Sequence, residues 1–181
     1  MSRLAARIAV LRAVNVGGRK MPMAELRELV TGLGFSDVQT LLQSGNLVFR
    51  GEGEAEAIEA RLEAACEKHF GYQADFLVRD LTEWDEMIAA NPFKDEARDE
   101  PARLGVVILK APVSKEGLAA LTGWIKGREY AAAHGRAAFV FYPDGMGESK
   151  LLLPVIERHL GSRGTVRNWN TVQKLADLAR G

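Results

Sequence analysis

The chain has 181 residues, 47% hydrophobic and 27% charged, and its 24 basic and 24 acidic side chains cancel to a formal net charge of zero. That balance excludes a disordered chain and lacks the basic footprint of a dedicated nucleic-acid binder, so any anion site has to be local. The length suits two small units rather than one. The run Met1-Ser2-Arg3-Leu4-Ala5-Ala6-Arg7 and the apolar stretch after it, interrupted at Arg12, is neither a secretory leader nor a membrane span. The single cysteine, Cys66, cannot form an internal disulfide and reads as a small buried hydrophobe on the inner face of a helix. These features predict a cytoplasmic protein.

Ile8-Ala9-Val10-Leu11 is an apolar run of the kind found in a central strand, ending at Asn15 and the Gly17-Gly18 turn. Pro22 suits the first turn of a helix. Leu26, Leu29, Val30 and Leu33 follow at helical spacing, and Gly34 stops the helix. Val38 to Gln43 and Leu47 to Arg50 read as strands joined by a tight Ser44-Gly45-Asn46 hairpin. Ile58, Leu62, Ala65 and Cys66 mark a second helix closed by Gly71, with Glu52, Glu54, Glu56, Glu59 and Glu63 on a solvated face. A strand over 74–79 completes the order βαββαβ, the ferredoxin-like pattern.

Asp80 then caps a helix, with Glu83 as its capping partner and Leu81, Trp84 and Ile88 as its apolar face. The helix runs out at Asn91-Pro92, and the charged residues 94–101 read as a solvated linker. Beyond it the order repeats. A strand spans 104–110, and Ser114 caps a helix carrying Leu118, Leu121 and Ile125. Strands over 129–133 and 137–142 form a hairpin around His134-Gly135. Ser149 caps a helix over 151–160 that ends at Gly161, Thr165-Val166 is a short strand, and Asn170 caps a final helix. Glu67-Lys68-His69-Phe70-Gly71 parallels Glu157-Arg158-His159-Leu160-Gly161, and Val48-Phe49 parallels Val140-Phe141, at offsets of 90 and 92 residues. The predicted fold is therefore α+β, a tandem duplication of two ferredoxin-like (α-β plait) subdomains. The first takes residues 1–80, a connecting helix and charged linker take 81–102, and the second subdomain with a C-terminal helix takes 103–181.

Three stretches are more specific than periodicity. They are Leu11-Arg12-Ala13-Val14-Asn15-Val16-Gly17-Gly18 with Pro22-Met23, then Gln43-Ser44-Gly45-Asn46, and Arg167-Asn168-Trp169-Asn170-Thr171. In this order they resemble the bacterial family known as domain of unknown function 1697, over nearly the whole chain. One departure is visible: the family usually reads Arg-Gly-Ile-Asn where this chain has Arg12-Ala13-Val14-Asn15, which keeps the two polar positions. The resemblance implies two ferredoxin-like subdomains and supplies no activity.

In a right-handed βαβ crossover the first two strands run parallel and end at one sheet edge. The loop from Arg12 to Lys20 and the turn from Gln43 to Asn46 are therefore predicted to converge. Gly17-Gly18 followed by Arg19 and Lys20, entering a helix, can aim backbone N–H groups and cations at an anion. The plainer alternative is turn chemistry, with Asn15 and Asn46 tolerating left-handed geometry. In the second half Lys150, Arg167 and Asn168 are predicted to gather at another edge beside helix N–H groups. The candidate ligand-binding residues are thus Arg12, Asn15, Gly17, Gly18, Lys20, Gln43, Ser44, Asn46, Lys150, Arg167 and Asn168, and the implied partner is a small anionic ligand. No Cys/His set has zinc spacing, and no cofactor or reaction type follows. Two other functions are compatible with the element order. One is an RNA-binding module, for which Ala138-Phe139-Val140-Phe141-Tyr142 matches only the end of the stacking motif and zero net charge is unfavourable. The other is a structural or protein-interaction subunit.

Overall fold

The structure, a computed structural model, describes residues 4–12 and 14–181. Met1, Ser2, Arg3 and Ala13, which figure in the leader and motif readings above, lie outside the described residues. The described residues form two four-stranded antiparallel sheets and seven α-helices. The chain divides into two compact units. One holds the residues up to Asp85 together with Lys174–Gly181, and the other holds Glu86–Gln173.

In the first unit β1 (Ala6–Arg12), α1 (Met23–Gly32), β2 (Ser36–Thr40), β3 (Asn46–Arg50), α2 (Ala55–Phe70) and β4 (Asp75–Asp80) build a sheet in the order β2-β3-β1-β4. Ala9 and Leu11 of β1, Leu47 and Phe49 of β3, and Phe76 and Val78 of β4 join the core under the two helices, which contribute Leu26, Val30, Ile58, Leu62 and Cys66. Ile8, Val10 and Leu77, on the alternate face, are fully buried as well. Burial on both faces is why β1 reads as a continuous apolar run instead of an alternating one. Gly34, at φ 98°, and Gly71, at φ 82°, end α1 and α2 in the left-handed region.

α3 (Leu81–Ala90) follows at once, its first turn capped by Asp80 Oδ1, which accepts from Glu83 N–H at 2.8 Å. Its buried face is Trp84 and Met87, with Ile88 only partly covered. The charged stretch expected to be a linker is instead α4 (Lys94–Asp99) followed by a 3-10 turn over Pro101–Arg103. Asp95–Arg98 is an i,i+3 ion pair, at 3.2 Å, that suits a helix.

In the second unit β5 (Leu104–Leu109), α5 (Lys115–Trp124), β6 (Tyr130–His134), β7 (Ala137–Phe141), α6 (Leu153–Leu160) and β8 (Gly164–Asn168) form a sheet in the order β6-β7-β5-β8. Ser114 caps α5 as expected, its Oγ accepting from Gly117 N–H at 2.9 Å. Two other expected caps are corrected. α6 starts after Ser149, whose hydroxyl instead accepts from Leu151 N–H and donates to Glu129. The last helix, α7 (Trp169–Arg180), is capped by Asn168, whose Oδ1 accepts from Thr171 N–H at 3.0 Å, while Asn170 lies inside the helix. α7 ends in the first unit, where Ala179 carbonyl accepts from Arg50 and Arg180 pairs with Asp85.

The glutamates of α2 do not all lie on a solvated face. Glu59 is buried and its Oε1 accepts from Val78 N–H at 3.0 Å; Glu63 Oε1 lies 3.4 Å from Phe76 N. β4 is an edge strand, so its outward N–H groups need partners. An i,i+4 step along a helix advances ~6 Å and two residues of strand ~6.6 Å. Two carboxylates one helical turn apart therefore meet alternate N–H groups of the strand.

Candidate functional site

The two loops of the first unit meet at one edge of its sheet. Leu11 N–H donates to Gly45 carbonyl at 2.8 Å, and Asn15 Nδ2 donates to Gln43 carbonyl at 2.6 Å. Asn15 also donates to Met21 carbonyl and accepts from Met21 N–H at 2.8 Å, so one amide closes its own loop and ties it to the next. Asn15, Gly17 and Gly18 all have left-handed backbones, at φ 55°, 57° and 81°. The connection between β2 and β3 runs over residues 41–45, with Leu42 at φ 63° and Gly45 at φ 88°, so it is longer than the tight hairpin expected. Asn46 is fully buried and donates to Leu41 carbonyl and Ser44 Oγ, and its backbone is not left-handed.

Beside these loops lies a cleft of about 540 Å3 at the start of α1. Asn15, Gly18, Arg19, Lys20 and Gln43 line it, and Met21, Pro22 and Met23 close it against the helix. Among the described residues, no side chain caps the first turn of α1. Arg19 stands 5.9 Å from the centre of the Tyr72 ring, within cation–π range. Lys20 is exposed. Gly17 and Ser44 of the same loops, and Asn46 at the start of β3, lie outside the cleft wall. Arg12 sits at the end of β1 opposite its register partner Asp75, its guanidinium 3.8 Å from that carboxylate. The arrangement brings two cations and uncapped backbone N–H groups to one concavity, which is chemistry suited to an oxyanion.

The second predicted cluster divides. Arg167 is a buried strand residue whose guanidinium donates to Thr165 Oγ1 at 2.8 Å and Val166 carbonyl at 3.0 Å. Burial pulls it down to about 10, so it remains cationic at neutral pH. Asn168 spends its side-chain oxygen on the α7 cap. Lys150 instead lines a separate cavity with Trp124, Lys126 and Glu148, on the segments leading into β6 and out of β7. Sequence reasoning passed over that cavity, although the signal existed: paired antiparallel strands place the start of β6 and the end of β7 at one edge.

Phe139 and Phe141 are buried and offer no open stacking platform for bases. His69 lies 3.2 Å from Glu25, and His159 donates from Nδ1 to Val155 carbonyl. Among the described residues, no group of three or more His, Cys, Asp or Glu side chains could hold a metal ion, and no helix is long and apolar enough to cross a membrane.

These features define a mixed α/β protein with two four-stranded antiparallel sheets and, in each unit, a concavity with charged residues in its wall. The chain belongs to the family described as protein of unknown function (DUF1697), whose model matches residues 4–139. The matched region takes in the first two of the three distinctive stretches; the segment from Arg167 to Thr171 lies beyond it. The fold is similar to that of the conserved bacterial protein SP0830 from Streptococcus pneumoniae. That likeness has a TM-score of 0.77 at 21% identity and covers 97% of this chain and 99% of that one. An unknown protein from Galdieria sulphuraria aligns over 92% of this chain and 99% of its own, at 12% identity and a TM-score of 0.28. No curated protein matches the sequence.

Proposed function

We propose that the protein binds a small anionic ligand, of the phosphate or phosphorylated-metabolite class, in the cleft of the first unit. The observation that supports this most directly is the meeting of Arg19 and Lys20 with the uncapped first turn of α1 in one concavity. Backbone N–H groups and the helix dipole favour negative charge there, and the two cations add local attraction that the neutral whole does not supply. Asn15 and Gln43 act as the loop clamp, and Gly18 lets the backbone approach the ligand. Arg12, Arg167 and Asn168 serve the fold in this reading, through Asp75, the β8 backbone and the α7 cap. The same proposal takes the two units as copies of one ferredoxin-like subdomain. Support comes from the matching element and strand orders, and from Arg79 and Arg167, both buried one residue before a helix-capping side chain.

The test is thermal unfolding in the presence of inorganic phosphate, pyrophosphate and a nucleotide. A ligand at a hundred times its dissociation constant stabilises by about 2.7 kcal/mol. At least one of these anions is expected to raise Tm in a saturable way, and the Arg19→Ala, Lys20→Ala double variant is expected to lose the shift while unfolding normally without ligand. An equal shift in the variant, or none with any anion in the wild type, removes the reading.

A further inference from the structure

We propose that the second unit carries an independent binding site, for a zwitterionic ligand of the amino-acid class with an apolar or aromatic body. The site is the cavity of about 550 Å3 formed where the α5–β6 segment meets the β7–α6 segment. That size lies within the ~300–1,000 Å3 usual for small-ligand pockets.

Its floor is apolar. Trp124 and Ile125 pack against the core of the unit, and Leu151 belongs to that core. Trp124 is backed by the His159 ring at 6.0 Å between centroids, and His159 is held in turn by its Nδ1 bond to Val155 carbonyl at 2.9 Å. The indole is therefore a supported wall and not a loose surface ring.

The rim carries both signs of charge in equal number: Lys126, Arg128 and Lys150 against Glu129, Asp144 and Glu148. Two of the acids are already engaged. Arg128 grips Asp144 through two bonds, at 3.1 and 2.5 Å, and Glu129 accepts from Ser149 Oγ at 2.5 Å. Lys126 reaches the Gly123 carbonyl at 3.3 Å. Among the described residues, Lys150 and Glu148 have no side-chain partner and do not pair with each other, although they flank Ser149 in sequence. An apolar floor whose rim offers Lys150 and Glu148 without partners of their own matches a molecule that presents an apolar body, a carboxylate and an ammonium group together. A simple anion would satisfy Lys150 and leave its charge facing Glu148. A simple cation would meet the reverse conflict.

This inference does not rest on the cleft of the first unit, and it is tested separately. The probes are L-phenylalanine, its N-acetyl derivative, which lacks the ammonium group, and its carboxamide, which lacks the carboxylate. The readout is tryptophan fluorescence: Trp84 and Trp169 are buried, so a ligand in this cavity reports through Trp124. L-phenylalanine is expected to give a saturable change that is absent in Trp124→Phe, with each derivative binding about tenfold or more weaker, a difference of about 1.4 kcal/mol. Lys150→Ala should weaken phenylalanine and the N-acetyl derivative but not the carboxamide. Glu148→Gln should weaken phenylalanine and the carboxamide but not the N-acetyl derivative. Both replaced side chains are exposed, so these variants fold even if Trp124→Phe does not. No saturable change with any probe up to about 10 mM, a free energy near −2.7 kcal/mol, overturns the proposal. Equal or tighter binding of the N-acetyl derivative also overturns it and assigns a simple anion site.

Discussion

Gly45 occupies a position that no other residue can fill without moving its neighbours. Its φ is +88°, and a Cβ there would stand 2.8 Å from both Leu11 Cβ and Val14 Cγ2. Its carbonyl accepts from Leu11 N–H, so the backbone cannot retreat without breaking that bond. Gly45→Ala adds left-handed strain of about 1 kcal/mol to an overpacking cost of about 1–3 kcal/mol. The expected loss is about 2–4 kcal/mol, read as a lower urea midpoint with little change in slope. An alanine variant within about 0.5 kcal/mol of wild type would show that the two loops are not locked together. Asn15 and Asn46 belong to the same lock. Both are candidate ligand residues by their place in the two converging segments, and an amide that can donate and accept spends its hydrogen bonds locally instead.

At the level of elements, the pairing of α2 with β4 is the least expected feature. Glu59 and Glu63 look solvated in a sequence window because charged residues usually are. Their helix lies over an edge strand, so they meet Val78 and Phe76 N–H groups instead of water. Glu59 also lies 3.9 Å from buried Arg79, which Glu83 approaches at 3.5 Å. Glu59→Ala is expected to cost about 2–4 kcal/mol, from an orphaned N–H and a poorly compensated buried cation. Glu59→Gln keeps an acceptor for Val78 and should recover most of that loss. Equal destabilisation by both changes would assign the effect to charge and rule out the strand cap. Amide hydrogen exchange at Val78 separates the two cases directly, since protection should survive in the glutamine variant and fall in the alanine one.

For the whole molecule, two buried groups that ionise at high pH link stability to alkaline pH. Burial pushes the Cys66 thiol from 9.0 up to about 12. Burial, with the charge of Glu129 second, pushes Tyr142 from 10.0 up to about 12. Tyr130 is raised as well, but it is more than a third exposed and solvent screens its contribution. Both buried groups hold their protons in the folded protein after the unfolded chain has lost them. Their stabilising effect is therefore fully present below about pH 9 and declines as the pH rises towards 12. The urea midpoint is expected to fall from about pH 9 upward. The Cys66→Ala, Tyr142→Phe double variant should show a shallower fall whatever its absolute stability. An unchanged slope would mean that other groups govern alkaline unfolding.

The sequence alone determined the order of the strands and principal helices, because those depend on local periodicity and on stops such as Gly71 and Gly161, which act within a few residues. It also predicted that the loops holding Asn15 and Gln43 would converge, because parallel strands in a right-handed crossover end at one edge. Three-dimensional proximity decided the rest. Asn168 became a cap and Arg167 a buried strand residue because β8 runs to Asn168 and α7 begins at the next position. Lys150 was separated from both and placed near Trp124, which lies 26 residues earlier in the chain. The division has a physical cause. Helix and strand periods are written in neighbouring residues, whereas the partner of a polar side chain is set by which distant backbone atoms reach it.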